Sequence, residues 1–121
     1  MKRPLRILCA DDNSMLGEMM LCLFARAGHW VEHVGNGLDA WVRVSSDISN
    51  FDVVLTDHQM PGLTGLDLVE RLRDANYRGR IVVHTSALTP VEFERYRAFG
   101  VAEIVIKSAR AEQLLTAVAA T

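Results

Sequence analysis

Cysteine is scarce in this chain of 121 residues: there are two, Cys9 and Cys22. A lone pair so placed makes no disulfide framework, and both are expected to be small buried hydrophobes in a reducing compartment. Long apolar runs are missing as well, so the sequence offers no membrane-spanning segment, and Met1-Lys2-Arg3 leads into no signal peptide. There is no excess of positive charge. The formal net charge is −2 and the arginines are scattered, which argues against non-specific nucleic-acid binding. The histidines make no zinc set: His29 and His33 fall in a stretch that reads as strand and so share no helical face. Repeats, low-complexity tracts and linkers are absent too. The rest is ordinary globular composition, 50% apolar and 23% charged, long enough for one domain over residues 1–121 with a buried core. The chain is expected to be soluble and cytoplasmic.

Five short apolar runs alternate with five helical patterns. Leu5 to Ala10 reads as a first strand, followed by Asn13 or Ser14 as a cap and a helix over Ser14 to Ala27 that Gly28 ends. Met15, Leu16, Met19, Met20, Leu23 and Phe24 are expected to form its core-facing stripe. Trp30 to Val34 reads as an edge strand, Leu38 to Ser46 as a short helix packing through Trp41, Val42 and Val44. The buried run Val53 to Leu55 leads to Asp57, and Met60-Pro61-Gly62 turns the chain into a helix over Gly65 to Ala75. Ile81 to Thr85 is the fourth strand. Thr89 as cap and Pro90 at the first helical position start a helix that runs to about Phe99. Glu103 to Ile106 and Ala111 to Ala120 complete the series. This alternation implies an α/β fold: a three-layer, doubly wound parallel sheet of five βα units. Its expected strand order is 2-1-3-4-5, with the switch point between the first and third strands.

The polar residues that end these strands carry the functional argument. The first run ends on Asp11-Asp12, the third on Asp57, the fourth on Ser86 and the fifth on Lys107. In a parallel sheet these ends gather along one edge, where open α/β folds do their chemistry. Singly they are weak signals. Asp11-Asp12 could favour a helix N-terminus, Ser86 could sit in a turn, and Lys107 could reach solvent at a strand end. Together, in this order and at these separations, they resemble the receiver (CheY-like) domain of two-component response regulators, and the resemblance covers essentially the whole chain.

The resemblance implies a phosphoacceptor. Asp57 would take a phosphoryl group from a histidine kinase or a histidine phosphotransfer protein, and Lys107 would offset charge on the phosphoryl oxygens. Ser86 would donate to the attached phosphoryl group and draw the loop Ala87-Leu88-Thr89 inward. Three neighbouring carboxylates also call for a cation, and oxygen ligands suit Mg2+. Asp12 and Asp57 are the expected direct ligands, with Asp11 helping; the family adds the backbone carbonyl of Gln59. The output would be a conformational change read by a partner on the face made by the fourth helix, fifth strand and fifth helix. Such a chain is no enzyme beyond its own phosphorylation and dephosphorylation. It binds no nucleic acid or membrane directly.

Two positions depart from the family pattern. Lys107 is followed by Ser108 rather than proline, so a trans bond is the default there. Ile104 stands where the family carries its switch aromatic, which puts the coupled hydroxyl–aromatic switch in doubt. An alternative is therefore a degenerate receiver used as a phosphorylation-independent binding module. A flavodoxin-like carrier is disfavoured because Asp11-Asp12 would repel its phosphate. An aspartyl phosphatase would want its nucleophile directly after the first strand and usually a cap domain, whereas the nucleophile read here, Asp57, follows the third strand and no cap domain is evident. His58 is given no catalytic part, since the family varies there, and His84 is expected to be packed and hydrogen-bonded.

Overall fold

Alternation along the strands sorts side chains into two apolar layers, one on each side of a parallel sheet. In the computed structural model, which describes residues 3–119, the strands are β1 (Arg6–Ala10), β2 (Trp30–Val34), β3 (Val53–Thr56), β4 (Arg80–Thr85) and β5 (Glu103–Ile106). The helices are α1 (Ser14–Arg26), α2 (Gly37–Ser45), α3 (Gly65–Asp74), α4 (Pro90–Ala98) and α5 (Ala111–Ala119). The strands pair in parallel in the order β2-β1-β3-β4-β5, as the sequence predicts. The expected end of the last helix, Ala120, lies outside the described residues. No helix among the described residues is long and apolar enough to cross a membrane.

Leu8, Ala10, Val54, Ile81 and Val83 point into one layer with Ala40, Val44, Leu68, Leu72 and Tyr96. Ile7, Cys9, Val53, Leu55, Val82 and Val105 point into the other with Met20, Phe24, Leu114 and Val118. Covering both faces explains why β3 is buried at every position and reads as an unbroken apolar run. Helices α1 to α4 begin on side-chain caps: Asn13, Asn36, Thr64 and Thr89 each accept from a backbone N–H in the first turn.

Three expectations about packing are corrected. Met15 and Met19 are 80% and 54% exposed, because at 100° per residue they lie well round the helix from the buried line Gly17, Met20 and Phe24. Val42 is 58% exposed, on the opposite side of α2 from Ala40 and Val44. Cys9 is buried as expected but Cys22 is exposed, and both thiols are free.

Candidate functional site

The register brings the strand ends together. Ala10 pairs with Thr56 across β1 and β3, so Asp11 and Asp57 leave the sheet side by side. Backbone bonds continue the ladder past the strands: Asp57 N–H donates to the Ala10 carbonyl at 2.9 Å, and Lys107 N–H to the Thr85 carbonyl at 2.9 Å. Each functional side chain thus leaves from backbone that the sheet still holds.

The carboxylates of Asp11, Asp12 and Asp57 place ligand oxygens within 4.8 Å of one another. Asp11 and Asp57 are buried and Asp12 is exposed. The Lys107 ammonium donates to Asp57 Oδ2 at 2.8 Å and lies 3.0 Å from Asp11 Oδ2. The second contact is an ion pair outside hydrogen-bond geometry, which leaves Asp11 Oδ2 buried without a hydrogen-bond partner. The other oxygens are committed to backbone: Asn13 N–H donates to Asp11 Oδ1 at 2.8 Å and His58 N–H to Asp57 Oδ1 at 2.7 Å. Burial alone would lower the Lys107 pKa, but the neighbouring carboxylates of Asp57 and then Asp11 outweigh burial and hold it above its ordinary value.

This donor set fits a hard cation. It offers carboxylate oxygens, an orphaned buried Asp11 oxygen and more negative charge than one ammonium offsets.

Four of the residues singled out in the sequence, Asp11, Asp12, Asp57 and Lys107, converge here. Ser86 and Gln59 are exposed, just beyond the ends of β4 and β3. Lys107 reaches Asp57 without a following proline, and no peptide bond among the described residues is cis. Ile104 is half-buried against the layer under α2, α3 and α4. His84 is packed as expected, but its Nδ1 has no hydrogen-bond partner, which corrects the expectation that it is bonded. Burial, and then Lys107, push its pKa down.

Two histidine contacts were not anticipated. His33 Nε2 donates to the Asp11 carbonyl at 2.8 Å. His58 is buried, with Nδ1 2.6 Å from Tyr96 Oη and Nε2 2.9 Å from Glu92 Oε2. The signal for the second was available in α4, where Glu92 and Tyr96 are four apart and share a helical face.

Comparison with known proteins agrees with this geometry. The family model for the response regulator receiver domain matches residues 7–119. The 3',5'-cyclic-nucleotide phosphodiesterase regA of Dictyostelium discoideum is 34% identical over 89 residues, covering 74% of this chain and 11% of that protein. The sensory/regulatory protein RpfC of Xanthomonas campestris pv. campestris (strain 8004) is 30% identical over 121 residues, covering 97% of this chain and 16% of that protein. The chain thus spans only 11% to 16% of the length of these relatives. Among solved structures, a LuxR-family DNA-binding response regulator from Staphylococcus aureus superposes with a TM-score of 0.86 at 28% identity, covering 93% of this chain and 94% of that one.

Proposed function

This chain belongs to the response regulator receiver domain family, and on that premise we propose that Asp57 is the residue through which it acts as a phosphoacceptor. An Asp57 carboxylate oxygen attacks the phosphorus of a phosphohistidine on a histidine kinase or histidine phosphotransfer protein. A P–O bond forms on Asp57 as the P–N bond of the donor breaks, and the electron pair leaves with the imidazole. Lys107 stays beside the site and balances charge on the equatorial oxygens. Ser86 donates its hydroxyl to the attached phosphoryl group. Asp11, Asp12, Asp57 and the Gln59 carbonyl would hold Mg2+, which would supply the positive charge that lets anionic donor and acceptor approach.

The observation that supports this reading is the Lys107 ammonium 2.8 Å from Asp57 Oδ2, within a cluster of three carboxylates. Outside its own phosphorylation and dephosphorylation the chain has no enzyme activity. Its output passes to a downstream protein through the face formed by α4, β5 and α5.

Intact-protein mass after incubation with Mg2+ and a small acyl phosphate tests the assignment. The native chain gains one phosphoryl group only when Mg2+ is present, and Asp57→Asn gains none. A gain that survives in Asp57→Asn moves the acceptor elsewhere. A native chain that neither gains mass nor binds Mg2+ is a binding module instead.

A further inference from the structure

Helix α4 is loosely held. Tyr96 is its one buried residue, while Val91 is 69% exposed and the rest of the helix is largely charged. The Tyr96 hydroxyl contacts His58 Nδ1 at 2.6 Å, and the two rings meet edge to face at 5.6 Å. The first turn of α4 leads to the same imidazole. Glu92 Oε1 accepts from Thr89 N–H at 2.8 Å to close the capping box, and Glu92 Oε2 lies 2.9 Å from His58 Nε2. A carboxylate only accepts, so Nε2 carries the hydrogen. In the neutral ring Nδ1 then accepts from the Tyr96 O–H, and both nitrogens are satisfied.

His58 also holds the reacting carboxylate. Its backbone N–H donates to Asp57 Oδ1 at 2.7 Å, and its carbonyl accepts from Gly65 N–H at 2.7 Å. A Cβ at Gly65 would overlap the Asp57 carbonyl and the Tyr96 hydroxyl, so glycine is what lets these groups meet. One residue therefore touches the phosphoacceptor with its backbone and both anchors of α4 with its ring.

We propose that His58 is a positioning residue that couples the charge state of Asp57 to the placement of α4 through Tyr96 and Glu92. This deepens the receiver reading and rests on it. Ile104 leaves the chain without the aromatic of the family's usual switch, whereas the His58 contacts are complete, buried at Tyr96 and partly buried at Glu92.

The physical step is a change in acceptor strength. As a carboxylate, Asp57 accepts a charge-assisted bond from His58 N–H. Once a phosphoryl group is attached, either oxygen is an ester or carbonyl oxygen and accepts more weakly. The His58 backbone relaxes, and the ring carries that displacement to Tyr96 and to the capped first turn of α4. Coupling is reciprocal: a partner that seats α4 differently changes how readily Asp57 is phosphorylated.

The test is hydrogen exchange of the α4 amides, read by mass spectrometry beside the phosphoryl gain, with Mg2+ and a small acyl phosphate. In the native chain phosphorylation changes α4 exchange by about fivefold or more. Tyr96→Phe keeps the ring and the phosphoryl gain, and the phosphorylation-dependent difference in α4 falls below about twofold, well under a typical allosteric coupling. His58→Leu removes both bonds and abolishes the difference in its phosphorylated fraction. Lost packing alone would speed exchange equally in both states; loss of the link collapses the difference between them. A native-sized difference in both variants overturns the proposal. If the native chain neither takes a phosphoryl group nor binds Mg2+, the phosphoacceptor reading fails, and the link is read with Asp57→Asn, whose amide is also a weaker acceptor. That substitution then shifts α4 exchange in the native background and not in Tyr96→Phe; the same shift in both, or none in either, overturns the link.

Discussion

Asp11 and Asp57 each meet the Lys107 ammonium, while Asp12 is exposed beside them. Three negative charges around one positive charge leave the cluster strained when no cation is bound. Asp12 can therefore be removed with a gain in metal-free stability, since its carboxylate repels two neighbours. Asp12→Ala is expected to stabilise the metal-free chain by about 1 kcal/mol, the size of an exposed charge interaction. That raises the thermal midpoint by about 3–5 °C for a domain of this size. Added Mg2+ is expected to stabilise the native chain, and the same variant is expected to lose most of that gain. Thermal melts with chelator and with Mg2+ measure both effects. A lower midpoint in chelator would show that Asp12 makes a favourable contact stronger than the repulsion. At this scale the site was legible where a strand delivers the residue. Asp11, Asp57 and Lys107 follow β1, β3 and β5 directly, and backbone ladder bonds carry their geometry past the strand ends. Ser86 and Gln59 fall on exposed loops, where strand periodicity no longer says which way a side chain faces.

At the scale of elements, α4 and α1 each carry a device that periodicity did not reveal. Periodicity reports how apolar a helix face is, and α4 has a single buried side chain, so its attachment through polar groups left no apolar stripe to read. Its Glu92 carboxyl is held below the usual range by the Thr89 backbone N–H first and the His58 ring second. A lowered carboxyl pKa adds stability that is present above the ordinary value and lost as pH falls through the lowered one. Protection of the α4 amides, corrected for intrinsic exchange rates, is therefore expected to drop in a step below the ordinary Glu value. Glu92→Gln retains a capping-box side chain but lacks that step. An identical acid step in the variant would assign it to another group. In α1, Gly17 is buried against His33, and a Cβ there would overlap the imidazole. The His33 ring donates to the Asp11 carbonyl, so this glycine clears space beside the acidic cluster. Gly17→Ala is expected to cost about 1–3 kcal/mol by overpacking and to weaken Mg2+ binding as Asp11 shifts. Denaturant titration and Mg2+-dependent melts check the two effects. Nothing in the spacing of α1 distinguishes this glycine from a tolerated helical one, because its constraint comes from β2, distant in sequence.

The layer under α2, α3 and α4 runs the length of the sheet, and a tyrosine is fixed in it toward each end. Tyr77 is buried where β3 begins, its hydroxyl donating to the Phe51 carbonyl at 2.9 Å. Tyr96 is buried beside Asp57 with its hydroxyl on His58. These are the only two tyrosines of the chain, so tyrosinate absorbance reports this layer alone. Both pKa values are pushed well above the ordinary 10.0. Burial is the main cause, reinforced by Asp52 at Tyr77 and by Glu92 at Tyr96. The neutral phenols therefore add stability that is complete below the ordinary value and lost as pH rises above it, because the unfolded chain releases those protons first. On alkaline titration the folded protein should show no tyrosinate at the pH where free tyrosine ionises. Both rings should then ionise in one step that coincides with loss of helical circular dichroism, since a layer packed as one unit opens as one unit. Tyr96→Phe halves the amplitude of that step and leaves its coincidence with unfolding intact. Tyrosinate appearing in two stages, the first with circular dichroism unchanged, would mean that one end of the layer opens independently. If Tyr96 were that first residue, α4 would be detaching from an otherwise folded sheet, and its ring and the His58 imidazole would hold it less firmly than the rest of the layer is held.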